Sequence, residues 1–197
     1  DTYNNIYFNT TKFAACLEKQ GKDNRNPDLR AGYFSQSPPA YTEPALSIFA
    51  RYSHDDYHYW GYNQLTHKYY RHQESNGTRE GDPPGYAPLI DDLTGQQVSA
   101  DNLVYLFVLH RFEDQFQEED EVYHIDLIGS GKAYLFRDGI VLPAYWQRTD
   151  INQPLLHTDP HGIPLSLKPG NTFYEVLGKA SLVSEQNAQW RFQFETP

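Results

Sequence analysis

VYHIDLIGSGKAYLFRDGIVLPAYW, residues Val122 to Trp146, is the stretch that decides the fold. Val122 to Ile128 is a short apolar run of β-formers, and Gly129-Ser130-Gly131 reads as a turn. Lys132 to Arg137 is a second strand-like run, rich in aromatics. Asp138-Gly139 is the strongest two-residue hairpin signal, because a type I′ turn needs φ > 0 at both central positions. Ile140 to Trp146 starts a third run. The three runs predict antiparallel strands in a meander.

The same spacing continues on both sides. Upstream, Leu46 to Tyr52, Tyr57 to Tyr62 and His67 to His72 are strand-like runs separated by turns at Ser53 to Asp56 and Asn63 to Thr66. Asn102 to Leu109 (NLVYLFVL) is the most apolar segment and predicts a central strand buried on both faces. Downstream, His157 to Pro164 and Pro169-Gly170-Asn171 are turns, and Thr172 to Leu177 is a strand. Ala188 to Glu195 alternates, with Trp190, Phe192 and Phe194 inward and Gln189, Arg191, Gln193 and Glu195 outward; Ala180 to Ser184 is its simplest partner. The expectation is a mainly β (α+β) domain of about nine short antiparallel strands over residues 44–197. No helices alternate with the strands, which argues against a parallel sheet.

Before this domain, Asn9-Thr10-Thr11 predicts the start of a helix of roughly ten residues, capped by Thr10 or Thr11 and closed by Gly21. Phe13 and Leu17 share its apolar stripe. Lys22 to Ala45 is polar and proline-rich, an irregular connector. This connector is the best candidate for a domain boundary, which sets residues 1–43 apart as a helix and connector whose apolar stripe must pack on the β domain or on a partner chain. A chain beginning at Asp1, with no Met, reads as processed or truncated.

Composition narrows the function classes. The 197 residues carry 16 Lys+Arg against 26 Asp+Glu, a net charge of −10. Phosphate backbones and anionic membrane surfaces would be repelled, so nucleic acid is not an expected partner. Apolar residues make up 39 % and aromatics 15 %, which predicts a core built from Tyr and Phe more than from Leu. Cys16 is the only cysteine, so no internal disulfide forms. It reads as a small helix residue, with no general base beside it in sequence. No apolar run is long enough to span a membrane.

The densest candidate site is aromatic. Tyr57, Tyr59, Trp60, Tyr62 and Tyr70 cluster in two adjacent runs. Alternation puts Tyr57 and Tyr59 on one face and His58, Trp60 and Tyr62 on the other. Either both faces pack into protein, or one is a platform for a sugar or peptide, with the loop Gln73 to Tyr86 placed to cover it. The platform requires Trp60 and at least two of the tyrosines to be exposed along one groove; near-complete burial of the set removes it.

Other motifs fail on spacing. Gly129-Ser130-Gly131-Lys132 resembles the end of a phosphate loop, but Asp126 stands where the first Gly belongs and Ala133 where Ser or Thr should hold magnesium. His54-Asp55-Asp56 with His58, and His157 with Asp159 and His161, match no zinc spacing and sit at turns. The acidic stretch Glu113 to Glu121 lacks the spacing of a calcium loop and reads as a solvated hairpin loop. No nucleophile elbow, zinc-protease helix or Cys-x-x-Cys occurs. A carboxylate pair for glycoside hydrolysis would be matched in space and not in sequence. No metal, cofactor or catalytic residue is assigned.

The ordered turn positions carry a resemblance. Gly129, Gly131, Lys132 and Ala133, then Phe136, Arg137, Asp138 and Gly139, then Trp146, Asp159 and Gly162, and last Leu167, Pro169, Gly170 and Thr172, resemble the C-terminal domain of the YerB-like bacterial lipoproteins, a family of unknown function. YHYWGYNQLTHKYYR and LTGQQVSADNLVYLFV are similar to its upstream segments. The resemblance covers roughly Leu46 to Leu177, and Asn9 to Leu17 resembles the closing helix of the family's N-terminal domain, which implies that residues 1–43 are a remnant of that preceding domain, in contact with the part not present here. Ala144-Tyr145 replaces the family's Gly-Thr, and Gln73 to Tyr86 looks like an insertion. The resemblance implies an extracytoplasmic protein, anchored through a lipoprotein signal on a part not present here. It transfers no catalytic residue. The expected function is a non-catalytic binding or interaction module, with a cell-wall glycan or peptide, or another envelope protein, as partner. The alternatives are an envelope hydrolase or transferase whose site is shared with an N-terminal domain, and a structural subunit.

Overall fold

The computed structural model describes residues 9–22, 33–39, 43–75, 84–113 and 122–197. The chain divides into two compact units, residues 1–30 and 31–197.

The first unit holds one helix, α1 (Thr10–Lys19). Its N-cap is Asn9 rather than either threonine. The Asn9 side chain accepts from Lys12 N at 2.9 Å, satisfying one of the donors a helix start leaves open. At the other end Lys22 N donates to Leu17 O and Gly21 N to Glu18 O, with Gly21 at φ 63°. That is a Schellman close, as the glycine predicts. Cys16 is exposed on this helix.

The second unit is mainly β, with fourteen strands in two sheets among the described residues. In chain order they are β1 (Glu43–Pro44), β2 (Ser47–Arg51), β3 (Tyr57–Asn63), β4 (Lys68–Glu74), β5 (Tyr86–Pro88), β6 (Ser99–Ala100), β7 (Asn102–Phe112), β8 (Tyr123–Asp126), β9 (Gly129–Arg137), β10 (Ile140–Arg148), β11 (Leu156–Thr158), β12 (Thr172–Gly178), β13 (Leu182–Gln186) and β14 (Gln189–Gln193). The first sheet runs β1-β10-β9-β7-β12, with β11 on β10 and β8 on β7. The second runs β13-β14-β2-β3-β4-β5, with β6 on β4.

Most pairs are antiparallel. Each sheet contains one parallel pair, β7 with β12 and β2 with β14. These depart from the all-antiparallel expectation because alternation sets which face a side chain takes, not which distant strand lies alongside. The strands beyond the expected nine are mostly two to four residues long, too short to show a period.

β7 is central, as predicted, and buried from Asn102 to Val108. Leu103, Tyr105 and Phe107 face the core between the sheets, with Trp60, Tyr69, Phe136 and Phe192. Val104, Leu106 and Val108 face a second core with Leu135, Leu142, Trp146 and Leu167. The first sheet is thus covered on both sides.

The Asp138-Gly139 hairpin forms as predicted, with φ 52° and 77° at its two positions. The Gly129-Ser130-Gly131 turn does not. These residues are the first part of β9 and pair with Arg148, Gln147 and Trp146. β8 pairs with the far end of β7 instead of with β9, so the three-strand meander is broken there. The glycine has a packing reason. A Cβ on Gly131 would lie 2.5 Å from both Phe107 O and Trp146 Nε1, and that indole donates to Phe107 O at 2.9 Å. Only a bare backbone leaves room for the tryptophan to cross it.

The remaining motif residues lock turns together. Arg137 is fully buried. It donates to Asp138 Oδ2 at 2.9 Å, Ser166 O at 3.0 Å and Gln36 O at 3.1 Å. Lys168 Nζ meets Asp138 Oδ1 at 3.0 Å. Asp159 Oδ1 accepts from the backbone of His161 and Ile163, both at 2.8 Å, closing the turn that contains Gly162. Asp101 Oδ2 accepts from Asn171 N and Lys68 Nζ, both at 3.0 Å, and packs on Gly170 where a side chain would stand. Phe34 bridges to Leu167, so residues 33–36 run along the β unit. The acidic stretch after Glu113 and most of the loop after Ser75 lie outside the described residues.

Candidate functional site

The second sheet has one face on the shared core and one face open. Arg191, Phe49, Tyr59 and His72 are register partners on four neighbouring strands, so they share a face. They form one stack on the open side. The Arg191 guanidinium lies 4.1 Å over the Phe49 ring. Phe49 and Tyr59 follow at 5.1 Å and 27°, then Tyr59 and His72 at 4.4 Å and 6°. Tyr86 stands edge-to-face against Tyr59 at 4.9 Å and against Tyr57 at 5.3 Å.

Beside this stack runs a groove of about 510 Å³, lined chiefly by Phe49, Arg51, Tyr57, Tyr86, Leu182 and Arg191. Its wall is fixed from both sides. Tyr57 Oη accepts from Gly85 N at 3.2 Å, and Ser75 N donates to Gly85 O at 3.0 Å, which positions Tyr86. Arg51 Nε donates to Ser53 O at 3.1 Å and Arg191 Nη2 to Gln189 Oε1 at 3.1 Å. Among the described residues neither guanidinium has a carboxylate partner. Burial pushes the Tyr86 hydroxyl pKa up, while the charges of Arg191 and Arg51 pull it the other way. Both guanidiniums therefore bear on the same tyrosine.

The sheet splits the five aromatic residues singled out in the sequence. Tyr57 and Tyr59 are on the groove side, and Tyr70, paired with Gly61, is on that same face. Trp60 and Tyr62 point the other way. Trp60 is fully buried, 5.0 Å from Phe173, and Tyr62 packs on Tyr69 at 5.1 Å. Trp60 is thus a core residue and offers no ring to a ligand. Phe49, Arg51, Tyr86 and Arg191 are the groove residues that sequence reasoning missed. Arg191 was legible as outward-facing, but nothing in sequence placed it against Phe49.

Two polar features lie elsewhere. Between the sheets, Glu175 is nearly fully buried. It meets His58 Nε2 at 2.7 Å, accepts from Tyr52 Oη at 2.9 Å, and lies 3.7 Å from Arg71 Nη1. Burial pushes the Glu175 carboxyl up, but the hydrogen bond and charge of His58, the Tyr52 hydroxyl and Arg71 outweigh it and hold the group below its ordinary value. An ionised carboxylate only accepts, so Nε2 of His58 carries a proton. The carboxylate is thus satisfied inside the core, while His58 Nδ1 and Arg71 Nε are buried with no hydrogen-bond partner among the described residues.

Over the other face of the first sheet is a smaller cavity of about 180 Å³, lined by Tyr33, Phe34, Leu156, His157 and Tyr174 among others. His157 stacks on Tyr174 at 5.9 Å, and burial pushes its imidazole pKa down to about 4. His157, Asp159 and His161 do not converge. Asp159 holds its own turn, and no group of three metal-ligating side chains occurs among the described residues.

Comparison with known proteins gives family and fold. The model of the C-terminal domain of a protein family of unknown function, DUF3048, matches residues 48–174. The crystal structure of YerB protein from Bacillus subtilis is similar to this chain at 19 % identity with a TM-score of 0.59. That match covers 85 % of this chain and 50 % of YerB, so the chain corresponds to about half of the solved protein. No curated protein matches the chain. No helix among the described residues is long and apolar enough to cross a membrane.

Proposed function

Because the chain belongs to the DUF3048 family, through its C-terminal domain, we propose that it is a non-catalytic binding module of an extracytoplasmic, lipid-anchored envelope protein, and that its ligand is a cell-wall glycan or peptide. The groove on the second sheet carries this reading. It is concave, walled by apolar and aromatic side chains, and furnished with a few polar groups aimed at one volume, as ligand pockets are. Among the described residues that line it, the groove holds guanidiniums and hydroxyls and no carboxylate or histidine positioned as a general base, which favours binding over hydrolysis. Elsewhere, the buried Glu175 carboxylate is held by His58 and Tyr52. The envelope setting rests on the family resemblance.

The test is calorimetric titration of a soluble cell-wall digest into wild type and into the double variant Phe49→Ala, Tyr86→Ala. Saturable binding that the double variant loses is the expected result. Equal binding in both, or none in either, would remove the proposal. For the envelope setting, the full-length protein should partition with membranes and be digested by protease added to intact spheroplasts. Protection from that protease would overturn it.

A further inference from the structure

Resting on the groove as the binding site, we propose that its ligand is an extended peptide bearing carboxylates, bound along strand β13 and paired with Arg51 and Arg191. Three observations converge.

The first is charge. In a chain of net charge −10, two guanidiniums without a carboxylate partner among the described residues line one groove. That is a local reversal of sign on an acidic protein. Guanidinium forks match carboxylates bidentately, and Tyr86 stands beside both as a further hydroxyl donor.

The second is the state of the rings. A sugar stacks its apolar face on an open aromatic face. Here Phe49 has Arg191 on one side and Tyr59 on the other, and Tyr59 lies between Phe49 and His72. The faces of Phe49 and Tyr59 are thus used internally. The row favours hydrogen-bonding chemistry over a sugar platform.

The third is the sheet edge. Among the described residues β13 pairs with β14 alone, so its other side presents unpaired N–H and C=O groups. Leu182, Val183 and Ser184 of that strand line the groove, and Leu182 is 61 % exposed. An open edge beside a groove is the geometry of strand addition: the main chain supplies affinity and alternate side chains enter pockets. A peptide paired on β13 turns every second side chain toward the face that carries Arg191, the register partner of Ser184.

The test uses a fluorescein-labelled synthetic peptide of alternating Val and Glu with a free C-terminus, read by anisotropy against the whole chain. Three comparison probes accompany it: the Gln-for-Glu peptide with an amidated end, the same acidic peptide N-methylated at alternate residues, and an oligogalacturonate as an acidic glycan. The acidic peptide should bind at least about tenfold more tightly than its Gln counterpart, the scale of one charge-assisted pair. That preference should vanish in Arg51→Gln, Arg191→Gln, whose fold is checked by circular dichroism. N-methylation should abolish binding. Equal binding of the Glu and Gln peptides, undiminished binding of the N-methylated peptide, or binding of the oligogalacturonate alone would overturn the proposal. If the cell-wall digest binds through the groove and the peptide does not, the ligand class is wrong and the binding module stands. If neither binds, both fall.

Discussion

The two sheets hold similar aromatic content and put it to opposite use. Sheet one is covered on both faces, and its motif residues are fully committed. Trp146 crosses Gly131, Arg137 ties three segments, and Asp138 holds Lys168. Sheet two is covered on one face only. Its inner rings, Trp60 and Tyr69, are core, while its outer row from Arg191 to His72 borders a groove. The residues that identify the family are thus those that hold the fold. The residues that line the groove lie on the sheet face that no other sheet covers among the described residues. Recognition by motif and assignment of function draw on different side chains here.

The contrast can be broken by substitution. Trp146→Ala should cause the largest loss, about 3–5 kcal/mol, from the cavity and the lost hydrogen bond to Phe107 O. Urea unfolding measures it, and a loss below about 1 kcal/mol would deny that this side of sheet one is a packed core. The covered face should also show in pH dependence. The unfolded imidazole of His157 ionises near 6.5 and the folded one near 4. The unfolded state therefore takes up the proton first as pH falls. The stability His157 carries is complete above pH 6.5 and declines toward pH 4 by roughly 3 kcal/mol. His157→Phe should flatten the stability profile between those values. The group of Glu175, whose carboxyl is held low, loses its contribution at more acid pH, as the carboxyl takes up its proton. A wild-type profile that is already flat would sink the first claim.

On the open face the expected effects shrink. Phe49→Ala should cost about 1 kcal/mol, the scale of cross-strand ring pairs on a solvent-facing sheet. Arg191→Gln should change stability by no more than about 0.5 kcal/mol, since its partners are a ring and an exposed amide. If either variant unfolds as readily as Trp146→Ala, the row is structural and the groove loses its standing as a site.

Much of the fold was legible because its signals are local. Alternation gave the inward positions of Trp190 and Phe192, the unbroken apolar run gave β7 its two buried faces, and Asp138-Gly139 needed only its own φ values. Gly129-Ser130-Gly131 misled because glycine serves a turn and a close approach equally well. Only the position of Trp146 across the ladder distinguishes them. The site was half legible for the same reason. Period-two alternation separated Tyr57 and Tyr59 from Trp60, but could not tell which set met the other sheet. Arg191, Phe49 and Tyr86 come from strands far apart in the chain, and no local pattern joins them.

That distance has a consequence for how the molecule is made. β2 leaves the ribosome long before its parallel neighbour β14, and Trp190 Nε1 bonds to Pro44 O, 146 residues away. Closing so long a loop adds little to the equilibrium cost, about 0.6 kcal/mol per doubling of length, but it delays the event. While the chain between them is made, Ser47–Arg51 waits with one backbone edge bare and Ile48 and Trp60 without the Trp190 and Phe192 that seal them. This domain of the nascent chain is therefore most prone to aggregate just before the β13–β14 hairpin emerges, and a holdase that shields β2 over that interval would raise the yield of folded protein.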